Sequence, residues 1–126
     1  MKIKNITIGI KSVKEGLHEF AGAVEAMRRG EPPCRKRDGV YFVSLEAMRK
    51  VLTPKRLELL HIIRESRPES IYALVQIAKR DLKNVQDDVS MLARVGLVSL
   101  SRAGTARKRI IPKVEYDRLQ LQIPVI

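Results

Sequence analysis

Apolar residues spaced three or four positions apart predict three consecutive helices in the second half of the chain. The first begins with Thr53 as N-cap and Pro54 in its first turn. Its apolar arc is wide enough for a central, buried helix and includes Leu57, Leu60 and Ile63. A short second helix follows the capping residue Ser70. The third helix covers about 82–95, with Asp81 as its expected N-cap, and has one inward row, named the core stripe: Val85, Val89, Leu92 and Val95.

Alternating apolar and polar positions predict strands on both sides of these helices. Ile6, Ile8 and Ile10 alternate with polar or small residues, so a half-buried strand is expected at 2–10. The other expected elements are a helix with an apolar face over 13–27, a charged turn at 35–39, a strand at 40–43, a short helix after Ser44, a hairpin of 97–100 with 108–114, and a last strand at 119–123.

This order of elements predicts an α+β fold. We expect a winged helix-turn-helix at 53–114, in which three helices form the core and the β-hairpin is the wing. A strand-helix-strand-helix module at 1–52 is expected to form a dimer. The strand within 115–126 is expected to pair with that module or with a partner subunit. With 126 residues, the chain can bury one hydrophobic core without disulfide or metal support.

The charge distribution points to a polyanionic partner. The net charge is +11 and the pI is about 10.2. Basic residues are most concentrated at 97–114, a segment without Asp or Glu. The chain has no apolar run long enough for a membrane span, no signal peptide at its start, and a single cysteine, which rules out an internal disulfide. We therefore expect a cytoplasmic, nucleoid-associated protein that binds double-stranded DNA.

The third helix is the candidate recognition helix, placed in the major groove, because its outward side opposes the core stripe. Its candidate DNA-binding residues are Lys83, Asn84, Gln86, Asp87, Ser90 and Arg94. Asp87 and Asp88 count against this interpretation, although Asp87 could accept from a cytosine amino group or pair with Lys83 or Arg94. The wing at 99–113 and its surroundings are expected on the DNA backbone or in the minor groove, through Ser70, Tyr72, Lys79, Arg80, Arg102, Thr105, Arg107, Lys108 and Arg109.

No catalytic, cofactor or metal site is predicted. His18 and His61 are far apart, and no cluster of histidine, cysteine and acidic residues has ligand spacing. His61 is expected to be packed or half-exposed within the central helix. Cys34 lies beside Arg35, Lys36 and Arg37, which could lower its thiol pKa, but a lone loop cysteine is more often inert.

Residues 52–100 resemble the MarR-like winged helix-turn-helix regulators, and more narrowly a group of small predicted transcriptional regulators of prokaryotes. The likeness is clearest at 53–57, 68–70, 80–85, 88–89 and 92–98. It implies a DNA-binding homodimer that controls its own or neighbouring genes. Some relatives are antitoxins, so a cognate toxin is a further candidate partner.

Three other functions stay open at this point. An antitoxin would neutralise a toxin through the N-terminal module or the C-terminal strand while regulating its own operon. A basic RNA-binding protein is a weaker alternative, because an aromatic content of 4% provides few side chains for base stacking. The last alternative is a winged helix that serves only as a protein-interaction module.

Overall fold

A computed structural model describes residues 4–10, 34–36, 39–103 and 109–125. The helix predicted over 13–27 and the tip of the predicted wing lie outside these residues. The described part is α+β, as predicted. Its helices are α1 (Leu45–Val51), α2 (Pro54–Ser66), α3 (Ile71–Ala78) and α4 (Leu82–Arg94). Its strands are β1 (Asn5–Ile10), β2 (Cys34–Lys36), β3 (Gly39–Phe42), β4 (Ser99–Ala103), β5 (Arg109–Lys113) and β6 (Arg118–Gln122).

Three of the four helices within the described residues begin at a side-chain cap. The hydroxyls of Ser44, Thr53 and Ser70 each accept a hydrogen bond from the backbone N–H three residues later. Asp81 is the N-cap residue of α4, as expected, but its carboxylate makes no capping hydrogen bond. Local sequence therefore sets the beginnings of α1, α2 and α3.

The core stripe of α4 is buried as predicted, with every member at most 2% exposed. It packs against Leu59, Leu60 and Ile63 of α2 and against Leu74 of α3 in one hydrophobic cluster. One expectation for α2 was wrong. Leu57 is 42% exposed, because α2 buries one side of its apolar arc and leaves the other uncovered by the described residues. His61 also lies on the exposed side of α2.

Four strands form a mixed sheet in the order β2-β3-β1-β6. β1 is parallel to both β3 and β6, whereas β2 is antiparallel to β3. Cys34–Lys36 was missed as a strand, since its charged residues are typical of a turn and only its pairing with β3 makes it extended. An added Cβ at Gly39 would lie 2.2 Å from the Thr7 carbonyl oxygen, so glycine allows β3 to approach β1.

The sheet and the helices share one core. Ile8, Val40 and Phe42 from the sheet join the α2–α4 cluster, together with Val114 and Tyr116. The buried Tyr116 hydroxyl donates a 2.8 Å hydrogen bond to the Leu97 carbonyl. β4 and β5 form a separate antiparallel hairpin, and β5 packs against α2 and α3.

Asp117 joins the start of β1, the start of β6 and α2. Its Oδ1 accepts from Arg64 Nη2 at 2.7 Å, and its Oδ2 accepts from the Lys4 backbone N–H at 2.9 Å. The Asp117 N–H in turn donates to the Lys4 carbonyl. The Lys4 backbone hydrogen bond, followed by the Arg64 hydrogen bond, holds the pKa of Asp117 below its ordinary value of 3.8, against a smaller opposing effect of burial.

This lowered pKa predicts a loss of stability in acid that depends on Asp117. The ionised carboxylate stabilises the fold fully above the unfolded pKa of 3.8, and the contribution disappears as the pH falls through the lower folded pKa. We expect Asp117→Asn to flatten the urea-midpoint profile below about pH 4. Glu115→Gln, a change at an exposed neighbouring carboxylate, is the control. Identical profiles for the wild type and Asp117→Asn would contradict this role.

Candidate nucleic-acid interface

The outward side of α4 is polar along its whole length. Lys83, Asp87, Ser90 and Arg94 follow the spacing that aligns residues along one side of a helix. These four are exposed, and so are the flanking Asn84 and Gln86. All six predicted recognition residues thus lie on accessible surface, opposite the buried core stripe.

The two adjacent acids of α4 have different surroundings. Asp87 is exposed and forms no ion pair with Lys83 or Arg94 within the described ranges. Asp88 turns toward the protein, where its Oδ1 accepts from Arg56 Nε at 3.0 Å and its Oδ2 accepts from Arg80 Nη2 at 2.7 Å. One of the two acids that counted against DNA binding is therefore neutralised internally.

Arg80 was predicted to contact DNA, but its guanidinium is occupied in the protein. Its side chain is 20% exposed and bonded to Asp88, and its Nη1 is buried without a hydrogen-bond partner among the described residues. The Ser70 hydroxyl is also engaged, since it accepts the capping bond from Ala73. In contrast, Tyr72 and Lys79 are exposed.

Arg56 extends this cluster to a further helix. Its Nη1 donates to the Lys50 and Val51 carbonyls at 2.7 and 3.0 Å, at the C-terminal end of α1. The cluster of Arg56, Arg80 and Asp88, named the Asp88 cluster, therefore links α1, α2, the α3–α4 turn and α4. It fixes the placement of the helix that carries the candidate recognition residues.

Two of the basic residues predicted to contact DNA lie on the described strands of the hairpin. Arg102 lies opposite Ile110 and Arg109 lies opposite Ala103, and both arginines are exposed. Arg109 approaches Glu69 at 3.9 Å, but both side chains are more than half exposed, so this pair is weak and leaves Arg109 accessible. Thr105, Arg107 and Lys108 lie outside the described residues.

Within residues 4–10, 34–36, 39–103 and 109–125, no three His, Cys, Asp or Glu side chains are grouped as metal ligands would be. None of the described helices is both long and apolar enough to cross a membrane. An open cleft of about 760 Å³ lies between α2 and β6, and its walls include Leu57, His61 and Leu119.

Comparison with known protein families identifies the chain. The family model named HVO_A0114 matches residues 51–121, more than half of the sequence. This chain belongs to the HVO_A0114 family. The family's shared region in this chain thus extends from the end of α1 into β6 and contains α2–α4 and the hairpin. No curated protein and no solved structure matches it.

Sequence reasoning missed the inward role of Asp88 in this HVO_A0114 family member. Helical spacing places residue 88 beside the core stripe, which is the only local signal that it could turn inward. Its partner Arg56 is 32 residues away. Such pairing depends on how α2 packs against α4, and one sequence does not show it.

Proposed function

We propose that this protein is a sequence-specific, double-stranded DNA-binding transcriptional regulator, with a winged helix-turn-helix at 53–114. The observation that supports this most is the exposed polar side of α4. Its six accessible side chains are anchored from behind by a fully buried core stripe. A rigid helix with this composition suits the major groove, because side-chain amides and cations can reach base edges and phosphates.

The proposed residues divide into two roles. Asn84 and Gln86 carry amides suited to adenine, so they would contribute to sequence choice. Lys83 and Arg94 flank the acidic Asp87 and would contact phosphates, with Arg94 also able to pair with guanine. Asp87 would accept from a cytosine amino group.

The hairpin would act as the wing. Arg102 and Arg109 are exposed on adjacent strands, and Arg107 and Lys108 directly precede Arg109 in the sequence. Cations on such a hairpin would hold the DNA backbone or enter the minor groove, which adds affinity for every sequence rather than selecting one. The resemblance to MarR-like regulators supports the same assignment.

The double change Lys83→Ala/Arg94→Ala tests the proposed major-groove surface. Removing two phosphate contacts should reduce the slope of log K against log salt by about 1.8, and binding should weaken on both selected and unrelated duplexes. The measurement is fluorescence anisotropy between 50 and 300 mM salt, on duplexes enriched from genomic fragments. The control Arg49→Ala/Lys50→Ala removes the same charge from exposed positions on α1.

The outcomes separate the competing functions. Equal salt slopes for the two double variants would contradict a DNA-binding role of α4. Tighter binding to RNA of matching sequence than to the duplex would favour an RNA-binding protein. Failure to bind any duplex at low salt would favour a protein-interaction module. As a regulator, the protein would work in the cytoplasm, as a homodimer on paired half-sites.

A further inference from the structure

The outer edge of β6 is open within the part of the chain that the structure describes. Within the described residues β6 has β1 as its only strand neighbour, so its other side presents backbone N–H and C=O groups. Edge strands usually carry charges or proline that prevent pairing with another chain. Arg118 begins β6 and Pro124 follows its extended continuation, but the stretch 119–123 between them contains neither. This edge is therefore suited to accept a further strand.

The apolar face of the sheet continues past the helices at this edge. Leu119 lies opposite Ile6 and Leu121 lies opposite Ile8 in the β1–β6 register, so both leucines share the core side of the sheet. Ile8 is buried, whereas Leu121 is 53% exposed and Ile123 is 49% exposed. Leu119 is partly buried and lines one cleft with the exposed Leu57 on α2. We name the apolar side chains at this edge the edge row: Leu57, Leu119, Leu121 and Ile123.

We propose that a second copy of the chain covers the edge row by pairing its β6 antiparallel to this one, with the two-fold axis at Leu121. This register places Leu119 opposite Ile123 of the second copy, and Gln120 opposite Gln122. Apolar side chains then line one face and amides the other. This inference deepens the proposed function, because it names the surface that builds the homodimer.

Charge favours a second copy as the occupant. The chain carries a net charge of +11, but residues 119–126 contain no charged residue. Two copies therefore meet here without opposing like charges, and Arg118 lies opposite Pro124. The exposed Arg118 begins β6 just before this stretch, and the antiparallel register keeps its two copies apart. A two-fold contact between identical strands also closes on itself and leaves no free edge of β6.

Cysteine cross-linking tests the register. In a Cys34→Ser background, which removes the chain's own thiol, Leu121→Cys would place two Cα atoms about 4.5–5.5 Å apart, within the range for a disulfide. The matched variant Gln122→Cys would separate the two Cα atoms by about 8 Å, which is too far. We expect a disulfide-linked dimer from Leu121→Cys alone under mild oxidation. A folded Leu121→Cys chain that stays unlinked would overturn the proposal.

The assembly itself is tested by sedimentation velocity without DNA. The wild type should have twice the chain mass of 14.3 kDa. Leu121→Lys places like charges opposite each other and should raise the dimer dissociation constant at least about tenfold. Leu100→Lys, at a similarly exposed leucine on β4, should leave it unchanged. A monomeric wild type, or equal effects of the two lysines, would overturn the proposal.

The two proposals fail in different ways. If the protein forms the β6-linked dimer but binds no duplex, the proposed regulatory function is wrong and the proposed dimer surface is supported. If the wild type binds DNA and the Leu121→Lys variant is still a dimer, the proposed dimer surface is wrong and the regulatory function is unaffected. If both hold, Leu121→Lys should lose affinity for paired half-sites and retain its affinity for a single half-site.

Discussion

Replacing Asp88 with asparagine is expected to lower the free energy of unfolding by about 3 kcal/mol. The carboxylate of Asp88 compensates two guanidiniums, those of Arg56 and Arg80, whose side chains are only 17% and 20% exposed. An amide would leave two like charges close together in a largely dry environment, with Arg80 Nη1 already unpartnered among the described residues. Removing one member of a buried charge pair costs more than the pair contributes.

Asp87→Asn is the matched control for this prediction. It makes the same charge change one residue earlier on α4, at an exposed position. We expect it to change the free energy of unfolding by less than about 0.5 kcal/mol. Urea unfolding followed by far-ultraviolet circular dichroism measures both variants. If Asp88→Asn unfolds at the same urea concentration as Asp87→Asn, the Asp88 cluster does not stabilise the fold.

The variants Asp87→Asn and Asp88→Asn also separate an effect on stability from an effect on DNA binding. Asp87 lies on the proposed DNA-facing side, so its neutralisation should strengthen non-specific binding by removing repulsion from phosphate. Asp88→Asn should weaken DNA binding because α4 is held less firmly. The loss of affinity should be smaller at temperatures where the variant is fully folded. A gain in affinity from Asp88→Asn would show that its carboxylate faces the DNA.

Leu92→Ala is also expected to lower the free energy of unfolding by about 3 kcal/mol. Leu92 is fully buried in the core stripe, and its truncation leaves a cavity between α4, α2 and α3. The Leu92 carbonyl also accepts from the backbone N–H groups of Leu97 and Val98, where the chain leaves α4 for the hairpin. A shift at this residue would therefore reach both the candidate recognition helix and the candidate wing.

Leu100→Ala provides the comparison for Leu92→Ala. Leu100 is 45% exposed on β4, so the same truncation should cost less than about 1 kcal/mol. Calorimetric melting temperatures of both variants, with equilibrium urea unfolding, measure the difference. Equal losses would mean that the core stripe is not the main support of α4.

Much of the helical part of the fold follows from local sequence. Thr53 and Ser70 were identified as caps, and Ser44 as the start of a helix, because a cap bonds to a backbone N–H only three residues away. The core stripe follows from helical spacing, and its burial also made the six outward residues of α4 predictable. Leu57 was misplaced because a wide apolar arc does not state which side the rest of the protein covers.

The candidate site was only partly predictable for a related reason. Exposure of Asn84, Gln86 and Arg94 follows from their positions opposite the core stripe. The engagement of Arg80 does not, because a basic residue in a turn has the same local pattern whether it faces solvent or a carboxylate. The arginine was therefore assigned to DNA, although the structure pairs it with Asp88.

By itself, the sequence determined where most helices begin, which side of α4 is buried, and that basic residues accumulate around the hairpin. Only the tertiary structure decided that Cys34–Lys36 is a strand, that β6 lies beside β1, and that Asp117 binds the Lys4 backbone 113 residues away. Caps and helical stripes arise from contacts within one or two turns of the chain. Strand partners and internal ion pairs depend instead on how distant segments pack, which residue type and spacing do not specify.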